Sequence, residues 1–353
     1  MKQSGQAYPA MLALVAAVLF GASAPLAKVF LGHLDPVPLA GLLYFGSGLA
    51  LLVIRLFQSA KQSRKTQEAQ LRGKDFGWLM GSIVAGGILA PILLLYGLRV
   101  TAAATASLLL NFEAVSTTLI AMVLFKEAIG RRAWLAVALI TLSGILLSLN
   151  LDGSWGVSIG AVGIIAACFL WGLDNNFTRN ISAKDPLVIA MVKGLVAGIF
   201  SLALAYMMGA SFPSIGIIIG ALLLGSLCYG LSIVLFIRAM RSLGAARTSA
   251  LFGVAPLVGV VLSFLIFHGS PTLAFYLALP LMVAGAAILI REQHSHFHVH
   301  AELIHEHAHS HDDDHHIHEH ESLESERHSH VHRHEELQHE HQHMPDLHHR
   351  HSH

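Results

Sequence analysis

Charge is what this sequence lacks first. Only 12% of its 353 residues are Asp, Glu, Lys or Arg, and residues 1–290 hold eight of the 22 acidic side chains. A soluble chain of this length carries about a quarter charged residues. Helices on a water-facing surface need a polar face, so the deficit excludes a large soluble helical core. Cysteine is scarce as well: Cys168 and Cys228 both fall inside apolar runs. That excludes a disulfide framework and a paired-cysteine metal motif, and leaves both as small buried hydrophobes. The alternating segments of a transmembrane β-barrel are missing. So are a P-loop, an HExxH, a GxSxG and a catalytic triad. Nothing therefore supports an enzyme or ATP-driven transport by this chain alone.

Long apolar runs are present instead. They occupy 8–31, 37–57, 76–98, 102–125, 133–151, 158–179, 187–208, 216–237, 248–267 and 272–290. About 20 residues of helix cross a hydrocarbon core of about 30 Å, and Gly and Pro inside such runs are ordinary in membrane helices. The first run is too long for a cleavable signal peptide. The pattern predicts an all-α polytopic membrane protein of ten transmembrane helices.

Basic residues set the expected orientation. Lys61, Arg64, Lys65, Arg72 and Lys74 follow the second run, and Lys126, Arg131 and Arg132 follow the fourth. Arg238, Arg241 and Arg247 frame the loop after the eighth, and Arg291 follows the tenth. Segments 31–36, 152–157, 209–215 and 268–271 have no Lys or Arg. Basic loops stay cytoplasmic, so both termini are expected in the cytoplasm, with Arg99 the one exception.

The two halves resemble each other. Phe20-Gly21-Ala22 aligns with Trp171-Gly172-Leu173, Asp35-Pro36 with Asp185-Pro186, and Gly48 with Gly198. Ala106 to Leu110 aligns with Thr248 to Phe252. Five helices per half make the second half inverted, and the loop charges invert with it: 31–36 is uncharged by Lys or Arg, whereas its counterpart carries Arg179 and Lys184. The expected organisation is a first repeat at 1–151, an inverted second repeat at 152–291 and a tail at 292–353. Such repeats carry their site near the midplane in alternating-access transporters.

Residues 8–290 resemble the EamA-type members of the drug/metabolite transporter superfamily, with two EamA units. The resemblance lies in Leu19 to Pro25, in the fourth run ending Phe125-Lys126-Glu127, and in Gly244 to Thr248 leading to Ala255-Pro256. It implies ten helices, cytoplasmic termini and movement of small metabolites. The late proline of the motif is Pro256 in the second half but Ala114 in the first, where Glu113 precedes it.

Ionisable groups inside the spans are candidates for function by default. Glu113 lies near the middle of the fourth run, where a lone carboxylate costs roughly 2.5–3.5 kcal/mol on insertion scales. It must be protonated, paired or facing a wet cavity, which suits a group that loads and releases a proton. Asn111 offers an amide from another side of that helix. Asp174, late in the sixth run, and Lys193, early in the seventh, stand at similar depth, so an ion pair is expected. Asn175 and Asn176 could orient a polar substrate or join helices. Pro25, Pro91 and Pro256 are expected to break or kink their helices and free carbonyls toward a cavity. Trp171 reads as packing.

The tail holds 23 of the 25 histidines. They alternate with other residues at His294, His296, His298 and His300; at His305, His307, His309 and His311; at His328, His330, His332 and His334; and at His339, His341 and His343. The tail cannot bury an apolar core, so it is expected to be disordered. In extended chain the alternate imidazoles face one way and suit Zn²⁺, Ni²⁺, Co²⁺ or Cu²⁺. The expected function is proton-driven export of small metabolites or amino-acid-like solutes across the cytoplasmic membrane, with no cofactor for transport. The alternatives are a divalent-metal exporter and a membrane-anchored metal sensor or buffer. Expected partners are the substrate, the bilayer, divalent ions at the tail and a second copy of the chain, but no nucleic acid.

Overall fold

The computed structural model describes residues 7–61, 71–125, 131–150, 156–181, 184–211, 213–243 and 251–290, together with the backbone of four short tail segments. Among the described residues seven helices are long and apolar enough to cross a membrane: α1 (Tyr8–Phe30), α2 (Pro36–Phe57), α3 (Gly73–Val100), α4 (Ala103–Leu124), α6 (Ile159–Arg179), α7 (Pro186–Met207) and α8 (Ile215–Ala239). Three apolar helices are shorter: α5 (Trp134–Ser148), α9 (Ala255–Phe267) and α10 (Leu273–Ile288). Helices satisfy their own backbone groups, which lipid cannot do for them. The fold is that of a polytopic membrane protein. Between α5 and α6, Leu149–Asn150 pairs with Gly156–Val157. In the tail, His294–His300 lies antiparallel to Leu337–His343, and Leu303–Ser310 to Arg327–His334. Among described residues the buried apolar core runs from Ala13 to Met282.

Large apolar side chains such as Phe169, Phe200 and Leu265 face outward, as a lipid-facing surface requires. Inside, small residues bring backbones together. A Cβ on Gly48 would lie 2.4 Å from the Leu195 nitrogen, and one on Gly198 2.4 Å from the Phe45 nitrogen. Thus α2 and α7 cross in direct backbone contact at the centre of the bundle.

Among the described residues four helices are irregular at mid-length and a fifth is preceded by a turn. Helix α1 turns at Ala22, between Ala7–Gly21 and Ser23–Phe30. Helix α3 widens to a π-helix over Ile83–Leu89, and α8 does so over Ser226–Leu231. Helix α4 breaks between Ala103–Leu109 and Phe112–Phe125, and a turn at Gly253 and Val254 precedes α9. The three expected prolines account for part of this. Pro25 follows the turn in α1, Pro256 opens α9 just after its turn, and Pro91 follows the π segment of α3, which widens without breaking. The irregularities in α4 and α8 have no proline, and sequence reading did not foresee them.

Charged pairs sit at the ends of the helices. Arg99, the exception to the loop-charge rule, meets Asp35 at 2.8 Å, so its charge is answered within its own end of the bundle. At the other end Arg55 meets Asp185 at 3.1 Å, and Lys184 meets Asp75 at 3.9 Å. The 62–70 segment, Lys126, Glu127, Gly244 to Thr248 and the side chains of the tail lie outside the described residues.

Candidate functional site

Helix α6 places its polar residues toward three neighbours. Asp174 points to α3 and α7, where its carboxylate receives a hydrogen bond from Lys193 Nζ. Its other oxygen accepts from Ser82 Oγ at 2.5 Å and Thr178 Oγ1 at 3.1 Å. The Asp174 side chain is 6% exposed and that of Lys193 19%. A charge this deep is tolerable only when paired and hydrogen-bonded, and both conditions hold. The expected pair is therefore formed, with hydroxyl support that the sequence did not disclose.

One residue along, Asn175 Nδ2 donates to Glu113 Oε1 at 2.9 Å and to Thr117 Oγ1 at 3.1 Å on α4. Asn176 Nδ2 donates to the Thr117 carbonyl at 3.1 Å and to the Gly172 carbonyl at 2.8 Å. The two asparagines thus join α6 to the segment just past the break in α4. Glu113 forms no ion pair among the described residues, and its recorded side-chain partner is this one neutral amide. Asn111 does not join the group. Its Nδ2 turns back to the Leu108 carbonyl at 3.2 Å, which also accepts from the Asn111 backbone nitrogen at the break. Cys168 packs against the same break, its thiol 3.7 Å from the Leu109 carbonyl and 3.9 Å from that of Leu110.

The π segment of α3 contributes the next layer. Its wide turn leaves the Gly86 carbonyl accepting from Tyr44 Oη at 2.7 Å and Trp171 Nε1 at 3.0 Å. Trp171, read from sequence as packing alone, therefore also binds backbone. The Tyr44 ring lies 5.8 Å from that of Tyr229, in the π segment of α8, and Tyr229 lies 6.1 Å from Phe20. Tyr44 thus bridges the two widened helices. Gly86 cannot carry a side chain here, because a Cβ would sit 1.9 Å from Asp174 Oδ2. Gly86→Ala should push Asp174 off Lys193, lowering the melting temperature in detergent by several degrees and cutting folded yield; an unchanged melting curve would contradict this packing.

Asn175 is the exposed member of a buried face. Ile164, Cys168, Trp171 and Asn175 recur at helical spacing on one side of α6. The first three are buried, but Asn175 is exposed. Asn175 thus presents an exposed amide beside Glu113, toward the end of α6 that carries Arg179. Sequence reading missed Lys28, Tyr44, Ser82 and Thr117. Lys28 is an ionisable residue inside an apolar run and was detectable on the same ground as Glu113. The other three are too common in membrane helices to signal from sequence.

Fold and site define a multi-helix membrane protein with a polar cluster at its centre. Residues 7–149 and 158–291 each match the EamA-like transporter family, and the chain belongs to that family. It is 29% identical over 267 residues to an uncharacterized transporter of Methanothermobacter thermautotrophicus, covering 72% of this chain and 78% of that protein. A solved crystal structure covers 80% of this chain and 96% of its own with a TM-score of 0.56; at 19% identity it supports the fold alone.

Proposed function

We propose that this protein is a secondary transporter of ten transmembrane helices, built as two inverted five-helix repeats, that exports small polar metabolites or amino-acid-like solutes in exchange for protons. Glu113 is the coupling group. The observation that carries this reading is the setting of Glu113: a carboxylate without a cationic partner among the described residues, at the first turn after a helix break, held by one amide. Discontinuous helices near the midplane are where such folds bind substrate and ion.

Matched irregularities support the repeat. The π segments stand third in each half, in α3 and α8, and the breaks stand fourth, at α4 and α9. A Cβ on Gly21 would strike the Ala255 carbonyl and Val258, while one on its sequence counterpart Gly172 would strike Ser116 and Thr117. The same contact thus recurs between α1 and α9 and between α6 and α4. Positive loop charge favours the cytoplasmic membrane with both termini cytoplasmic. A second copy of the chain is the remaining partner of this reading. The test is transport in proteoliposomes under an imposed pH gradient, screening amino acids and divalent metals. Accumulation of a divalent metal and of no organic solute would overturn the substrate class.

A metal exporter is the second reading, favoured by the histidine tail. Among the described residues no group of three His, Cys, Asp or Glu side chains could hold a metal ion. The tail is therefore assigned the binding of Zn²⁺, Ni²⁺, Co²⁺ or Cu²⁺ as a buffer or sensor, weakening as pH falls and imidazoles take up protons. Truncation after Arg291 should abolish most Ni²⁺ or Zn²⁺ binding measured by calorimetry, leave the helical unit folded and spare organic-solute transport. Cells made metal-sensitive by the truncation would favour the exporter.

A further inference from the structure

The end of the bundle away from Asn175 is shut. Ser23, Ala24 and Ala27 of α1 are 3%, 1% and 1% exposed, and Ala255 of α9 is 2% exposed. The closure is steric: a Cβ on Gly21 would lie 2.2 Å from the Ala255 carbonyl oxygen, and one on Gly259 2.7 Å from Ser107 Oγ and 2.8 Å from the Gly21 carbonyl oxygen. The corresponding contact between α6 and α4 is as close at Gly172, where a Cβ would lie 2.8 Å from Ser116 Cβ, but beside it Asn175 is exposed and bonds to Glu113 and Thr117. Two geometrically matched junctions thus differ in chemistry, apolar on one side and polar with an exposed amide on the other.

Beyond the shut junction, one helical turn after Ala24, stands Lys28. A lysine near the end of a membrane helix can extend its ammonium to water. Lys28 instead reaches across to α3, donating to the Leu98 carbonyl at 2.7 Å, the Thr101 carbonyl at 2.5 Å and the Arg99 carbonyl at 3.4 Å. These are carbonyls at and just past the last turn of α3, the negative end of that helix, and three of them match the three donors of an ammonium. Arg99 from the same turn holds Asp35, at the start of α2.

We propose that Lys28 is the latch of the closed end: its hold on the α3 carbonyls keeps α1 against α9, and releasing it opens the site to that side. The inference rests on the alternating-access reading above. Lys28 acts as a positioning residue and touches no substrate.

Accessibility tests this without any transport assay. In nanodiscs, on a Cys168→Ser, Cys228→Ser background, Ser23→Cys reports the closed end and Asn175→Cys the exposed amide position. A maleimide should label position 175 rapidly and position 23 slowly. Adding Lys28→Met, which keeps the stem and removes the donors, should raise the labelling rate at 23 by at least about tenfold, the scale of losing charge-assisted hydrogen bonds; Lys28→Arg should leave it slow. Lys28→Leu, which also lacks donors, gives the same reading if the Met variant does not fold. A melting temperature lowered with the rate at 23 unchanged would make Lys28 a structural cap and overturn the latch. Equal protection of 23 and 175 would overturn it too. Neither result bears on whether Glu113 couples transport, so the two proposals fail separately.

Discussion

Glu113→Gln should abolish concentrative transport while leaving the protein folded. Gln keeps the shape of the side chain and an oxygen to accept the Asn175 amide, which donates to Glu113 Oε1 at 2.9 Å. It cannot gain or lose a proton at physiological pH. If one proton drives one substrate, a gradient of one pH unit sustains about tenfold accumulation, since a factor of ten is about 1.4 kcal/mol. Wild-type proteoliposomes should reach that ratio and the Gln variant should stay near unity. Exchange of labelled for unlabelled substrate needs no net driving force and should persist. Glu113→Asp shortens the reach to Asn175 and should move the pH optimum without abolishing the cycle. A Gln variant that still concentrates substrate would make Glu113 structural, and the coupling proposal would fall.

The second large effect is expected at Asp174 and Lys193. Removing either partner leaves the other charged in a poorly hydrated place, a loss of about 3–5 kcal/mol for a buried pair. Asp174→Ala should be the worse of the two, because it also takes the shared acceptor from the Ser82 and Thr178 hydroxyls, which lie 3.0 Å apart and keep only each other. Lys193→Met keeps the apolar stem but leaves a carboxylate held by two hydroxyls. Both single variants should lose folded yield and melt well below wild type. The double variant Asp174→Lys, Lys193→Asp should recover part of the loss: opposite charges meet again, and hydroxyls can accept from an ammonium at position 174 as well as donate. Recovery stays partial because Lys193 is three times as exposed as Asp174, 19% against 6%, so the swapped carboxylate and ammonium each take a site shaped for the other. Single variants that express and melt like wild type would show that the pair contributes little.

The sequence by itself determined the class of this protein. Apolar runs long enough to cross a bilayer, with almost no charge, have one stable outcome, because every backbone group in lipid must bond within its own helix. The pairing of Asp174 with Lys193 was also legible, since two opposite charges at equal depth on consecutive helices have no cheaper arrangement. Pro256 announced the turn it follows. Other features depend on contacts between residues far apart in the chain. The break before Glu113 has no proline to mark it, and Cys168 reaches the Leu109 carbonyl there only because α4 and α6 pack together. The widening of α3 is matched to Tyr44 and Trp171, which come 42 residues before and 85 after the carbonyl they share. Lys28 carries no sequence sign of its partners, which lie 70 to 73 residues on. Hydropathy is a local sum and so can be read along a chain; which carbonyl an ammonium finds, and which end of a bundle is shut, is decided by how helices cross.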